Sequence, residues 1–396
     1  MKAKNLKTVF GTLALTIAIA TGLSSCPSVD NGTIDNGDTE EVVSIDANLP
    51  MTGDLALWGS SIRDGATMAL EELEASDPDS VQLQFDWQDN AGSPQNAVSI
   101  FQQQFLDAPD LYVSGLKPAT MAIKDQIDER GTPHFLWIFD IGINEDSNNN
   151  FRTLVNYKIE AAQYLKYAEE RQAKRVAIVY ILLPHAEEQF QDLVIPGLQE
   201  MGVEEIFTET YELGVQNYRD IAVKVQEFDP DLIILNGFQN TLVGLIRALR
   251  SLELIEDGNT IGTYDTIDAA KILSAEEMEG IRAIAPLFET RPDRENVASW
   301  KERFRERYDR EPIYIEAFAY DMVGMIYDAA TRLELPATSE EWIAALRETN
   351  IECVTGNSSC YFDEDGDLVT PIEIGVFQDG KLVPDSDEAD AADVVE

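Results

Sequence analysis

The sequence predicts an α/β protein with two lobes, and three observations support this prediction. Short apolar segments alternate with amphipathic helices, which is the pattern of parallel β-strands joined by crossover helices. The alternation starts at Val42, breaks near Phe151 and then starts again, so two arrays of similar size follow one another. The chain has 396 residues, of which 44% are hydrophobic, and this is enough to fill two cores with a cleft between them.

The first array contains four predicted strands, VVSIDANL, VQLQFDW, LYVSG and HFLWIF. The helix after Trp58 carries its apolar residues on one face, as an amphipathic helix that covers a sheet must do. These residues are Ile62, Ala66, Ala69, Leu70 and Leu73. Right-handed crossovers fold such an array into a parallel sheet with helices on its faces.

The second array starts with RVAIVYILL, a nearly continuous apolar run from Arg175 that is typical of a strand buried on both faces. Its further predicted strands are EEIFTETYEL, LIILNG, TIGTY and EGIRAIAP, and helices separate them. The repeat of the same βα rhythm predicts a second lobe built like the first.

The last part of the chain has a different pattern, with helices predicted at 296–308, at 315–333 and in SEEWIAALRET. Thr338 precedes the third of these helices and Glu341 follows three residues later, a spacing that predicts a capping box. Asp-Gly pairs at 365–366 and 379–380 predict turns between closing strands.

The first residues predict export from the cytoplasm. Lys2, Lys4 and Lys7 precede an apolar run from Val9 to Leu23, and LSSC follows. LSSC resembles the bacterial lipobox, in which cleavage before the cysteine leaves Cys26 to be acylated. Residues 1–25 are then a lipoprotein signal peptide, and 26–41 are a lipidated, flexible tether to the cell envelope, in the periplasm or on the outer face of the cytoplasmic membrane. The alternative is an ordinary secretory signal with an incidental cysteine.

The formal net charge is −44. Without the three signal-peptide lysines, 26 basic and 73 acidic residues remain, a net charge of −47. Such a chain repels nucleic acid and anionic lipid. We interpret the acidic surface as an adaptation that keeps the protein soluble in a saline habitat. The alternative is that one acidic face binds a partner protein. Residues 385–396 are predicted to be an acidic, disordered tail.

The cysteines and short motifs give no sign of catalysis. Cys353 and Cys360 are candidates for a disulfide that closes the loop VTGNSS, and with no histidine nearby they make a poor zinc site. The sequence lacks the nucleophile elbow, the P-loop, the H-E-x-x-H motif and the G-x-G-x-x-G turn. We therefore predict a protein that is not an enzyme and needs no cofactor or metal.

Both ends of the chain resemble one family. LPMTGDLALWGSSIRDGATMALEEL resembles the opening of the type I periplasmic solute-binding proteins, in the leucine/isoleucine/valine (branched-chain amino acid)-binding branch. VTGNSSCYFDEDGDLVTPIEIGVFQDGKLV resembles the closing hairpin of the same family. The resemblance covers residues 42–384 and implies two Rossmann-like lobes joined by three crossovers, near 154–157, 285–287 and Cys353. Lobe 1 is then 42–154 plus 287–352, and lobe 2 is 156–285 plus 353–384.

The resemblance also implies a function. Members of this family capture a small solute in the cleft by hinge closure and deliver it to the permease and ATPase of an ABC transporter. We therefore expect a monomeric substrate-binding lipoprotein whose solute is an amino acid or a similar small polar compound. Two alternatives stay open, namely a sensor of the same fold that reports to a receptor and a purely structural surface lipoprotein.

Six candidate ligand contacts fall in lobe 1. Trp58 matches the family's aromatic residue in the first loop, although it could simply cover the core. The turn SGLKPATMAIKD matches the carboxylate-binding turn of the family, with Lys117, Ala119 and Thr120 at its centre. In WIFDIG, Trp137 and Asp140 replace the small residues and threonine that are usual, although Trp137 could belong to the core. These departures favour a ligand with an aromatic or cationic portion.

Three candidates fall in lobe 2. His185, one of two histidines in the chain, lies near a family position for an aromatic contact, and the alternative is a merely exposed ring. Phe238 matches the family's aromatic residue at the next strand end. Asp265 matches the acid that binds the ligand ammonium, with Asp268 as the neighbouring alternative.

Overall fold

The computed structural model describes residues 42–78, 81–140, 142–143, 147–212, 214–215, 217–356 and 359–385. The predicted signal peptide, Cys26, the tether and the residues of the tail after Asp385 lie outside this part of the chain. The described residues belong to one compact unit. None of the helices within these ranges combines the length and the apolar composition that a membrane span requires.

The first sheet has five strands in the order β2-β1-β3-β4-β5, and all neighbours are parallel. Its strands are β1 (Val42–Leu49), β2 (Gln82–Asp89), β3 (Leu111–Gly115), β4 (His134–Trp137) and β5 (Asn150–Arg152). The four strands predicted for the first array are therefore present, and a short fifth strand extends the sheet.

The second sheet has seven strands in the order β15-β14-β10-β9-β8-β6-β7. The parallel part consists of β6 (Arg175–Ile181), β7 (Glu205–Tyr211), β8 (Leu232–Leu235), β9 (Thr260–Gly262) and β10 (Arg282–Pro286). The hairpin of β14 (Ile372–Gln378) and β15 (Lys381–Pro384) adds to β10 in the antiparallel direction. The predicted turn at Asp379 and Gly380 joins the two strands of this hairpin.

A small third sheet packs against the first. It consists of β11 (Asn350–Ile351), β12 (Cys360–Phe362) and β13 (Leu368–Val369). The ring of Phe362 contacts Phe135 and Phe151, with centroids 6.1 and 5.0 Å away. Just before β13, Asp367 forms an ion pair with Arg152, with Oδ1 and Nε 3.1 Å apart. The segment from β12 to β13 therefore belongs with the first sheet.

Fifteen helices connect and cover the strands in the described ranges. They are α1 (Ala56–Ser76), α2 (Pro94–Gln104), α3 (Lys117–Met121), α4 (Lys124–Asp128), α5 (Tyr157–Glu170), α6 (Pro184–Glu188), α7 (Ile195–Glu200), α8 (Tyr218–Phe228), α9 (Gln239–Ser251), α10 (Asp265–Ala270), α11 (Ala275–Met278), α12 (Leu287–Thr290), α13 (Glu295–Tyr308), α14 (Tyr314–Ala330) and α15 (Ser339–Arg347). A 3-10 turn, Gly53–Leu55, precedes α1, and a π-helical turn, Gln189–Val194, joins α6 to α7.

Two details of the helices bear on the sequence predictions. The capping box of α15 is confirmed, because Glu341 N–H donates to Thr338 Oγ1 at 3.3 Å and Thr338 N–H donates to Glu341 Oε2 at 2.8 Å. The first helix begins at Ala56, two residues before Trp58, so this side chain lies in the first helical turn rather than in the loop. The apolar face predicted for α1 is buried at Ile62, Ala66 and Ala69.

Helix α1 packs closely on α14. A Cβ atom at Gly65 of α1 would collide with the backbone of Glu316, so only glycine permits this approach. The packing brings Tyr314, the first residue of α14, towards the ends of the strands, where its ring lies 6.0 Å from that of Tyr264.

Candidate ligand-binding cleft

The predicted site residues follow the carboxyl ends of six strands in the two sheets. In open parallel sheets, ligands bind at this edge because the loops that follow the strands converge there. In strand order β1, β3, β4, β6, β8 and β9, these residues are Trp58, Lys117, Asp140, His185, Phe238 and Asp265. Each sheet thus contributes three residues from different loops.

Aromatic side chains converge at the end of the first sheet. The rings of Trp58 and Phe139 meet edge to face with centroids 5.7 Å apart. Gly115, at the end of β3, lies close to Trp58 and to Trp137. A Cβ atom added to Gly115 would be 3.6 Å from Trp58 Nε1 and 3.2 Å from Trp137 Cβ. The indole N–H groups of Trp58 and Trp137 are buried and have no hydrogen-bond partner among the described residues. Trp137 is wholly buried in the hydrophobic core, whereas Trp58 is only partly buried, so the N–H group of Trp58 is the one placed to meet a ligand acceptor.

Lys117 and Asp140 form an ion pair across two neighbouring loops. The Nζ and Oδ1 atoms are 2.5 Å apart, and the lysine side chain is 41% exposed whereas that of Asp140 is 9% exposed. Arg152 also lies within electrostatic reach of Asp140, but it donates to Phe139 O at 3.3 Å and pairs with Asp367. The positive charge of Lys117, which the sequence predicted to lie beside the ligand, is therefore balanced by Asp140.

Ala119 and Thr120 lie deeper than the predicted carboxylate-binding turn requires. Ala119 is buried in a cluster with Phe101 and Tyr112. The hydroxyl of Thr120 lies 2.9 Å from that of Ser114, which in turn lies 2.7 Å from His134 Nε2. Burial, followed by the nearby charge of Lys124, lowers the pKa of His134 to about 3 and keeps this ring neutral. Both side chains therefore shape the turn from inside the lobe, because α3 turns this face towards the core.

His185 and Phe238 stand at the end of the second sheet, with ring centroids 6.5 Å apart. Phe238 is 41% exposed, so its ring offers apolar surface at this strand end. Burial lowers the pKa of His185, while Asp140 raises it and Lys117 lowers it further. The ion pair of the first sheet therefore lies within electrostatic range of the histidine that follows β6 of the second.

Two carboxyl groups lie together on the side of the second sheet. Asp265 begins α10 and is partly exposed, and Glu160 lies in the first turn of α5. Burial, then the charges of Asp268 and Glu160, raise the pKa of Asp265 to about 8. Burial raises the pKa of Glu160 to about 7, even though its carboxylate accepts hydrogen bonds from Gln189 Nε2 at 2.7 Å and from the backbone of Tyr264. The neighbouring Asp268 pairs with Lys271 at 2.6 Å.

Tyrosines surround these carboxyl groups. The hydroxyls of Tyr164 and Tyr264 are buried and find no hydrogen-bond partner in the described part of the chain. Burial, and next the charge of Asp265, raise the pKa of Tyr314 well above its usual range, so its hydroxyl stays neutral. Glu160 and the three tyrosines were missed from the sequence. The available signal was that Tyr264 directly precedes the predicted Asp265.

A second cluster has the composition of a metal site but is already satisfied. Asp321, Cys353 and Cys360 lie within reach of one another. However, the two cysteines form a disulfide with Cα atoms 5.9 Å apart. The carboxylate of Asp321 accepts from the backbone of Val354 and Thr355 at 2.8 and 2.9 Å. Disulfide sulfurs are not metal ligands, so this cluster stabilises the segment around Cys353.

One parallel sheet and one largely parallel sheet, with the candidate contact residues after the strand ends of both, fit the class of two-lobed solute-binding proteins. The family comparison agrees. Residues 43–381 match the model of the periplasmic binding proteins, and the chain belongs to that family. The predicted family, the α/β two-lobed fold and the solute-binding role are thereby confirmed.

Solved structures show the same fold at low sequence identity. The branched-chain amino acid transporter substrate-binding protein LivJ from Streptococcus pneumoniae, in complex with isoleucine, is 20% identical with a TM-score of 0.70, over 86% of this chain and 97% of that one. A substrate-binding protein from Sphaerobacter thermophilus is 16% identical with a TM-score of 0.74, over 87% and 97%. One from Rhodopseudomonas palustris, in complex with 4-hydroxybenzoate, is 17% identical with a TM-score of 0.72, over 88% and 96%. Among curated protein sequences, none matches this chain.

Proposed function

We propose that this protein is the extracytoplasmic solute-binding component of an ABC importer. The observation that carries the proposal is that Lys117 and Asp140, which follow strands of the first sheet, act electrostatically on His185, which follows a strand of the second. A solute held between these strand ends would join the lobes and stabilise their closed arrangement. In this role the protein binds and releases its solute unchanged and is not an enzyme.

Five side chains are proposed to line the solute. Trp58 offers an indole N–H group, and Phe238 and His185 offer ring surface from the other side. Trp137 is wholly buried and is proposed to act through the shape of the site. Asp140 and Asp265 supply carboxylates, the first already balanced by Lys117. Ala119 and Thr120 are proposed to act through the shape of the turn.

We propose lobes that cross over near 154–157 and 285–287, as the sequence predicted. The contacts of Phe362 with Phe135 and Phe151 favour a third crossover after Val369, just before β14, instead of one near Cys353. Lobe 1 would then keep the small third sheet, and lobe 2 would be completed by the hairpin of β14 and β15.

We further propose that Cys26 carries lipid and that the mature protein, a monomer, is tethered outside the cytoplasmic membrane next to its permease and ATPase. The motif LSSC after a charged and apolar leader supports this. Labelling with a radioactive fatty acid in the native host tests it, since Cys26→Ser should remove the label.

Thermal unfolding of the purified chain tests the binding function. The panel contains amino acids, their amides, amines, polyamines and aromatic acids. A solute at a hundredfold excess over its dissociation constant should add about 2.7 kcal/mol to the free energy of unfolding. Trp58→Ala should remove the shift. Glu227→Gln should keep it, because this exposed acid lies at the end of α8 that contacts the opposite edge of the second sheet, through Arg175 and Phe228. A panel without any shift would contradict the proposal.

A further inference from the structure

We propose that the solute is a small organic cation that carries a neutral hydrogen-bond acceptor, and that neither a zwitterionic amino acid nor an aromatic acid is the preferred ligand. This inference rests on the proposed solute-binding function and names the class of solute that the cleft accepts. It follows from the balance of charge and of hydrogen-bonding groups at the strand ends.

The first step concerns the carboxylate of an amino acid, which needs a cation or free donors. Two basic side chains near Asp140 are committed, Lys117 to Asp140 itself and Arg152 to Asp367, and burial lowers the pKa of the third, His185. The hydroxyl of Thr120 is bonded to Ser114 within the lobe. A ligand carboxylate would therefore lie beside Asp140 and compete with it for Lys117. Like charges in one partly buried site destabilise each other.

The second step concerns the acidic residues at the strand ends of the second sheet, Glu160 and Asp265. Glu160 is held by an amide, that of Gln189, and by a backbone N–H. The charges that act on Asp265 come from Asp268 and Glu160, and both are negative. Asp268 already has Lys271 as its partner. Partly buried carboxylates without a positive partner are costly, and a ligand cation supplies that partner.

The third step concerns hydroxyl groups, which point to a missing ligand independently of the charges. Tyr164 and Tyr264 are more than nine-tenths buried, and neither hydroxyl has a partner among the described residues. Glu160 acts electrostatically on both, so they lie beside the carboxyl pair. A ligand ammonium can donate to hydroxyl and carboxylate oxygens, and the faces of Tyr264 and Tyr314 attract a cation as well.

The fourth step concerns the opposite end of the solute. The indole N–H group of Trp58, a side chain that is only partly buried, is a donor without a partner among the described residues, so it is suited to an acceptor. Because Lys117 is balanced by Asp140, this acceptor carries no charge of its own. A hydroxyl or an amide carbonyl meets both conditions, and the solute then has a net positive charge.

Titration calorimetry on the purified chain tests the inference with two matched series. One is leucine, leucinamide and 3-methylbutylamine, and the other is phenylalanine, phenylalaninamide and phenethylamine. The first member of each series is a zwitterion, the second a cation with a carbonyl acceptor, and the third a cation without one. We expect at least one amide to bind about tenfold or more tightly than its amino acid, and the plain amine to fall between them.

Variants assign the effect to the residues. Asp265→Asn should weaken binding of the amide about tenfold or more, whereas Lys117→Met should strengthen it, because the site becomes more negative while Asp265 and Glu160 still receive the ammonium. Glu227→Gln removes one negative charge far from the cleft and should change neither affinity. Circular dichroism confirms that each variant is folded. Loss of amide binding in Lys117→Met would overturn the inference.

The results separate this inference from the proposed function. If leucine or phenylalanine binds as tightly as its amide, the solute class is wrong while solute binding stands. If none of the six compounds binds and an aromatic acid from the wider panel does, the inference is again wrong and the function stands. If nothing in either experiment binds, both proposals fail.

Discussion

Nζ of Lys117 lies 2.5 Å from Oδ1 of Asp140, and this ion pair joins the loops after two neighbouring strands, β3 and β4. The pair occupies the turn where the family resemblance placed the carboxylate of an amino acid. Among the described residues, it leaves this end of the first sheet with aromatic surface and an indole donor but with no free positive charge next to Asp140. Carboxylate recognition is therefore weakened by a residue of the protein itself.

Removing the carboxylate of Asp140 should shift the preference of the site towards ligands that carry a carboxylate. In Asp140→Asn, Lys117 loses its partner and becomes available to a ligand carboxylate, so leucine or 4-hydroxybenzoate should bind about tenfold more tightly than to the parent chain. Titration calorimetry measures the change. The control is Glu227→Gln, which alters the net charge equally. Equal gains in both variants would show that overall charge, and not the release of Lys117, governs anion binding.

Glu160 and Asp265 should make the unliganded protein less stable as the pH rises from about 5 to above 8. The pKa values of Glu160 and Asp265 are raised to about 7 and 8, so in this interval the folded state binds more protons than the unfolded state. The free energy of unfolding then decreases with pH. Below an ordinary carboxyl pKa of about 4 both states are protonated and the effect vanishes.

Urea unfolding of the parent chain and of Asp265→Asn measures this dependence. Asp46 has its pKa raised to about 7 through burial and the charges of Asp86 and Asp107, so it contributes to the slope in both proteins. The difference between them isolates Asp265 and should be on the order of 2 kcal/mol between pH 5 and pH 9, since the site is partly open to solvent. Parallel curves would show that Asp265 titrates normally.

Gly115→Ala should disturb the aromatic end of the first sheet. The added Cβ would lie 2.9 Å from Leu49 Cδ2 and 3.2 Å from Trp137 Cβ, and neither neighbour can move freely in a packed core. Overpacking of this kind costs about 1–3 kcal/mol of stability. Because Trp58 lies just above, solute affinity should fall as well. Thermal unfolding and calorimetry test both effects, and an unchanged affinity would place Trp58 outside the solute contact.

Reduction of the disulfide between Cys353 and Cys360 should destabilise the protein by about 2–3 kcal/mol, because the bond closes a short loop and restricts the unfolded chain. Urea unfolding with and without dithiothreitol measures the loss. The double variant Cys353→Ser, Cys360→Ser should show a similar loss and no further response to the reductant. A response of equal size in the double variant would mean that the reductant acts elsewhere.

The strands and the long helices were predictable because each depends on a local pattern. RVAIVYILL is apolar on both faces because β6 is covered by helices on both sides, and the face of α1 repeats with the helical period. The short helix α3 was harder. Five residues are too few to show a period, so the sequence could not indicate that Ala119 and Thr120 face the core. Glu160 was hidden for another reason, since an acid in a first helical turn is ordinary.

The sequence by itself determined the α/β class, the order of the strands, the family and the loops that follow the strand ends, because these depend on periodicity and on motifs within a few residues. Only the tertiary structure decided which charges meet. Lys117 and Asp140 are 23 residues apart, and Glu160 approaches Asp265 from a different helix. Such partners are chosen by how loops pack at the sheet edges. Burial then sets the strength of the electrostatic interaction between these charges. Neither the pairing of the charges nor their burial can be predicted from a local sequence pattern.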